Sequence, residues 1–398
     1  MLNQPQLKSA DGKGLAVNLL SIVLIVYIAH ALRTVIVPIL FSILIAILLY
    51  PIALFFERKL RLGKVVASIL SVIIATVIIG LLIWFIVYQV LVIGTDGGEY
   101  KTKFAEIYAI IQRWLSETLG LSRWELNQKV NAEISKLSNN ATSYATKFVG
   151  SMGSVIANVV LIPIYVFFML YYRVFFREFF FKVFKNVPNE KVHHVLDKIY
   201  YVVQNYLLGL VTVMGIVAAL NTIGLYIMGI QYAWFFGILA SLLMLLPYIG
   251  IAIGSILPAI FALATKDSYW YAVGVVLWFQ FVQFLEGNFI TPNIVGGKVS
   301  INPLVAIVAI ILGGMMFGLS GLILALPITA VLKVVFDSNE NLAPYGFLIG
   351  EPNKDYLKRN SIKSFIKKWN LRSSKEDLKK EEQENKNNTD WDEELKNE

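Results

Sequence analysis

A carboxylate, several amides and a set of backbone breakers stand together in QFLEGNFITPNIVGGKVSINP, Gln283–Pro303, between two strongly apolar runs. Gln280, Gln283 and Glu286 are spaced i, i+3, i+6, so they share roughly one face of a helix. Glu286 is the only acidic residue of its apolar segment. A carboxylate on such a face can bind a proton, a cation or the donor groups of a polar solute. It is equally at home at a helix end on the membrane interface, and both readings stand at this point. Asn288 and Asn293 offer amides to a solute, or cap helices. Pro292 and the pair Gly296-Gly297 predict that no helix runs undisturbed through the stretch. Irregular backbone at membrane depth is tolerated only inside protein or along a watery cavity. There, freed carbonyls and half-helix ends can hold a solute. The stretch is therefore predicted to belong to a transport site.

That prediction requires a membrane protein, and composition supplies one. Of 398 residues, 57% are hydrophobic and only 16% charged. A soluble domain of this size carries far more surface charge. Several apolar runs exceed the roughly 18–20 residues that span a bilayer. The short polar N-terminus before a long apolar run predicts no cleaved signal peptide. There is no cysteine, which removes disulfides, thiol catalysis and thiolate metal sites. The net charge of +8 does not point to nucleic acid, because the basic residues flank the apolar runs.

The elements that must position the polar stretch follow from the apolar runs. Leu15–Leu32, Thr34–Phe56, Val65–Ile93, Gly150–Tyr172 and Ile199–Ile230 read as spans. The loop Glu57–Lys64, with four basic residues and one acid, is placed in the cytoplasm, and both termini with it. The organisation predicted is an N-terminal segment with three spans (1–93), a helical extracytoplasmic insertion (94–149), a fourth span with a basic aromatic interfacial helix (150–198), a transport core (199–336) and a cytoplasmic tail (337–398). In the insertion, Phe104, Ile107, Ile111, Trp114 and Leu115 fall on one helical face. In the tail, Tyr356–Leu371 has a basic amphipathic pattern, and the residues after it have a disordered composition.

Two runs in the core, Tyr232–Thr265 and Pro303–Phe336, are too long for one crossing. Each carries a breaker near its middle: LPYIG, with Pro247 and Gly250, and GGMMFGLSG, with Gly314 and Gly318. Both tips hold a GxxxG pair, Gly250/Gly254 and Gly314/Gly318, and Pro258 and Pro327 recur in the second arms. Two re-entrant hairpins entering from opposite sides fit these lengths, as in inverted repeats. Lys266 is then outside and Lys298 inside. The fold class predicted is an all-α polytopic membrane protein with about six full spans and two oppositely oriented helical hairpins, the alternative being eight spans.

The run Leu285–Lys333 resembles the autoinducer-2 exporter family of bacterial membrane proteins. The residues that carry the resemblance are Glu286, Asn288, Pro292, Gly296, Pro303, Gly313-Gly314, Phe317-Gly318, Gly321 and Pro327, together with LPYIG and VPILFSILIAILLYPI, Val37–Ile52. The family often has a basic residue after the first of these prolines; here Asn293 stands there, and no role for that charge is carried over. The resemblance implies a homo-pentamer with two opposed hairpins in each protomer, an elevator-type motion, and export of a small polar signalling molecule from the inner membrane. Sodium–proton antiport is also linked to the family.

An enzyme is not indicated. HExxH and GxSxG are absent, and the adjacent His193 and His194 lie on a basic segment that reads as a solvated face. The Gly296-Gly297-Lys298 triplet lacks the rest of a P-loop, so transport is predicted to run without ATP and without cofactors or metals. The substrate-binding residues predicted are Gln283, Glu286, Asn288, Asn293, Pro247, Gly250, Gly314 and Gly318. Asn221 and Thr222, mid-span, read as glue between helices. The partners predicted are the bilayer, a small polar solute and a coupling proton or sodium ion. An oligomeric channel or scaffold is the competing class; polar groups gathered within one hairpin region favour a carrier.

Overall fold

A computed structural model describes residues 12–119, 160–246, 249–295 and 301–352. Among the described residues there is no strand. The helices are α1 (Gly12–Ala31), α2 (Arg33–Arg58), α3 (Lys64–Leu119), α5 (Arg173–Val183), α6 (Asn189–Ile227), α7 (Ala233–Leu243), α8 (Ile249–Thr265), α9 (Trp270–Leu285), α10 (Thr291–Ile294), α11 (Pro303–Phe317), α12 (Leu319–Asp337) and α13 (Ala343–Ile349). Between α3 and α5 lies α4 (Val160–Tyr171), and a π-helical segment, Glu286–Ile290, joins α9 to α10. Among the described residues five stretches are long and apolar enough to cross a membrane: α2, the first part of α3, α6, Trp270–Ile294 and α12. The bent pair α4–α5 makes a sixth if it is one span. The chain is an all-α polytopic membrane protein. It divides into Met1–Ile349 and Gly350–Glu398; of the second unit only residues 350–352 are described.

Small residues set the packing of α2. Its buried positions, Pro38, Ser42, Ala46, Leu49 and Ala53, form a stripe at helical spacing. Ala46, Leu49 and Ala53 cluster with Val166 and Leu170 of α4. Small side chains let two backbones approach closely where no hydrophobic effect drives helices together. The Ser42 hydroxyl donates to the Pro38 carbonyl at 2.6 Å, so this buried polar group stays satisfied. At the end of α2, Glu57 pairs with Arg173 at 2.5 Å, and Arg173 lies over the Tyr50 ring. This clamps α2 to the point where the chain turns by 68° from α4 into α5.

The membrane-long apolar part of the third helix ends at Ile93, where the span was predicted to end. Its backbone continues unbroken to Leu119, 56 residues in all. That is about 84 Å of helix against a hydrocarbon core of about 30 Å. The rest of the predicted insertion, and the tail helix Tyr356–Leu371, lie outside the described residues.

The core is organised on α6, which packs against α2, α5, α7, α9, α10 and α12. Around it the two long runs fold back as helical hairpins. In the first, Gly250 of α8 meets Leu243 of α7, and Gly254 meets Ala240. The rising number faces the falling one, so α7 and α8 run antiparallel. Their far ends confirm the return: Lys266, just after α8, lies beside Gly229, just before α7. In the second hairpin Gly313 faces Gly321 and Ala325, and Gly314 faces Leu322. Its turn is Gly318, with φ 62° and ψ −141°, a conformation that side chains with a Cβ avoid. The arms have 11, 17, 15 and 19 residues. At 1.5 Å per residue the first three reach only about 16–25 Å. Pro258 and Pro327 sit fully buried within the second arms.

Candidate functional site

The polar stretch holds a change of helix type where a break was predicted. The helix passes Pro292 and continues to Ile294. It does so by widening to a π-turn over Glu286–Ile290, where the Thr291 N–H donates to the Glu286 carbonyl five residues back. Proline lacks the N–H that an α-helix needs at its position and crowds the preceding turn. Widening the turn just before Pro292 accommodates both. Single π-turns inside α-helices are found frequently at functional sites. Gly296-Gly297 lies outside the described residues.

The widened turn brings Thr291 under Glu286. One carboxylate oxygen accepts the Thr291 hydroxyl in a very short hydrogen bond. The other accepts the Gln283 side-chain N–H at 2.6 Å. All three side chains are half-buried. Both donors are neutral, and no described basic side chain pairs with Glu286. The carboxylate is thus oriented by two hydrogen bonds while its charge stays available to a further partner.

The other predicted residues distribute differently. Gln280 and Asn293 are exposed. Asn288 is exposed too, and its amide turns back to the Phe284 carbonyl at 2.9 Å. Gly250 sits in the first hairpin, pressed on Leu243, and Pro247 lies outside the described residues. The first tip does approach the site. Met244 packs against the buried cluster of Val213, Val217 and Val282, on which Ile290 and Ile294 also pack. Gly314 and Gly318 do not join it: neither α11 nor α12 packs extensively on α9, the π-turn or α10. The second tip meets α1 instead, where His30 Nδ1 lies 2.7 Å from the Met316 carbonyl. Thr291 was missed by sequence reasoning, because five-residue spacing signals nothing on an α-helix. Among the described residues no group of three or more metal-ligating side chains forms a metal site.

Apolar helices long enough to span and two helix pairs folded back as hairpins define a multi-pass membrane protein. The chain belongs to the AI-2E family of transporters, whose profile matches residues 19–341. A putative transport protein of Haemophilus influenzae is 24% identical over 80% of this chain and 90% of its own length. The putative transport protein YrrI of Bacillus subtilis is 34% identical over 33% of this chain and 36% of its own. The AI-2 transport protein TqsA of Escherichia coli is 25% identical over 32% of this chain and 36% of its own. The match thus spans about a third of two of these relatives and nearly all of the other.

Proposed function

We propose that this protein is a carrier that exports a small polar solute without ATP, with Glu286 as the principal binding group. The observation that carries the reading is the Glu286 carboxylate, placed on a π-turn and held by Gln283 and Thr291, with no described cation beside it. A fixed, half-buried carboxylate of this kind recognises the donor groups of a polar molecule. The first hairpin, whose tip packs near the site, is the element whose displacement exposes it to one side or the other, in an elevator-type motion. The name of the Escherichia coli relative makes autoinducer-2 the first solute to test. Exposed apolar faces on α1 and α3, including Ile25, Tyr27, Leu81 and Trp84, suit lipid or neighbouring protomers, in keeping with a homo-pentamer of the bacterial inner membrane with cytoplasmic termini.

The same carboxylate supports a second reading, sodium–proton antiport, because a lone acidic group in an apolar segment is a natural cation and proton carrier. One experiment separates the two. The purified protein is reconstituted in vesicles and offered a solute panel, autoinducer-2 included, without ATP and with or without imposed pH and sodium gradients. Saturable solute flux supports the carrier. Exchange of sodium for protons with no solute flux supports the antiporter. Neither activity under any gradient contradicts both.

A further inference from the structure

We infer that a single water molecule, seated between Asn221 and Gln283, fixes the amide of Gln283 toward Glu286 and makes Asn221 a positioning residue of the site. The inference rests on the reading of Glu286 as the binding group only for its consequence in transport. Its structural part stands on two observations. The first is an unsatisfied atom: Asn221 is 3% exposed, and its side-chain oxygen accepts no hydrogen bond from any described residue. Leaving a buried acceptor without a donor is costly, and such groups are ordinarily satisfied by protein or by ordered water. The second is a cavity of about 20 Å³ beside that residue, lined by Asn221 and Val217 of α6, Met244 and Gly254 of the first hairpin, and Val282 and Gln283 of α9. A cavity needs roughly 10–15 Å³ to hold one water, so this one has room for one and not for a solute.

The chemistry of the lining selects the occupant. Gln283 turns its NH2 group to Glu286, one N–H donating at 2.6 Å, which leaves its oxygen as the acceptor on the other side of the amide. Asn221 also presents an acceptor. A water has two hydrogens to donate, one to each amide oxygen. No carboxylate lines the cavity, and two amides among apolar side chains are a poor cage for a bare cation. The amide of a glutamine is free to flip until its surroundings distinguish oxygen from nitrogen. Glu286, an acceptor, begins that distinction, and a water donating to the oxygen adds to it and holds the nitrogen on Glu286. The cavity lies against Met244, just past the end of α7.

The test uses the full chain in lipid nanodiscs and needs no transported solute, so it fails or succeeds independently of the proposed function. High-resolution density for the wild type is expected to show one peak within hydrogen-bond distance of the Asn221 oxygen and the Gln283 side chain, unchanged when sodium and potassium are replaced by choline. Absence of the peak, or its loss in choline, overturns the inference. Melting temperatures give a second arm. Asn221→Leu and Gln283→Leu are each expected to melt lower than the wild type, and the double variant to lose less than the sum of the two, since it clears both polar groups from the cavity while the loss of the Gln283 donor to Glu286 remains; strict additivity overturns the inference. A rise in melting temperature for Asn221→Leu alone marks a dry cavity and overturns the inference. Should Asn221→Leu fail to fold, Asn221→Ser keeps an acceptor and is expected to retain the peak; its loss there overturns the inference as well.

Discussion

At the scale of single residues, the site depends on a hydroxyl that no periodicity announces. Gln283 and Glu286 are legible in the sequence, because i, i+3 spacing places them on one face. Glu286 and Thr291 are not, because residues five apart on an α-helix lie about 140° apart around the axis. Only the widened turn before Pro292 brings them together. Asn288 shows the opposite failure. One N–H of its amide is turned back to a carbonyl of its own helix, a local bond that short polar side chains readily make and that i, i+4 spacing does not announce. Thr291→Val keeps the shape of the side chain and removes the donor to Glu286. A hydrogen bond to a charged group contributes about 1.5–3 kcal/mol, so loss of half to all of it weakens solute affinity by roughly 4- to 150-fold. Solute titration in vesicles checks this, and unchanged affinity would detach Thr291 from the site.

At the scale of elements, the hairpins were legible from length and breakers together. A run too long for one crossing, interrupted by Pro and Gly, has few other solutions. What the sequence did not carry was which tip meets which partner. Gly250 and Gly314 occupy corresponding positions in the two runs, yet only the first tip packs near Glu286 while the second meets His30. Side-chain complementarity between distant segments decides that, and hydropathy is blind to it. The end of the third span at Ile93 was legible too, but not that the helix goes on to Leu119, since a change from apolar to amphipathic pattern does not interrupt a helix backbone. The two hairpin glycines differ in what they need. Gly318→Ala meets open space but forces a φ of 62° on a residue with a Cβ, costing about 1–3 kcal/mol. Gly250→Ala drives a methyl into the Leu243 carbonyl and costs about 1–3 kcal/mol through overpacking. Gly287→Ala meets nothing nearby and should be well tolerated. Thermal unfolding of the purified variants ranks them; an indifferent Gly250→Ala would contradict the close packing of α7 on α8. The orientation of the hairpins is open to labelling, since the chain has no native cysteine. Lys266→Cys is expected to react with an impermeant maleimide on intact cells, and Lys298→Cys to be protected; the reverse pattern would establish eight full spans.

At the scale of the whole molecule, composition alone separates a membrane-embedded body from a polar end. The residues beyond 372 are highly charged and aromatic-poor, with too little apolar surface to bury. Truncation there is expected to leave expression, oligomer size and transport unchanged. A smaller oligomer on size-exclusion chromatography would give the tail a structural role. The central claim is tested most directly by transport in reconstituted vesicles with Glu286→Gln and Glu286→Ala, compared at matched expression and oligomer size. The account predicts that Gln, which keeps the shape and loses the charge, abolishes any ion-coupled component and retains at most partial solute flux. It predicts that Ala is worse, because it leaves the Gln283 and Thr291 donors without their acceptor, at a cost of about 1–3 kcal/mol. Wild-type flux in both variants across the pH range would contradict it and leave Glu286 a bystander on the helix surface.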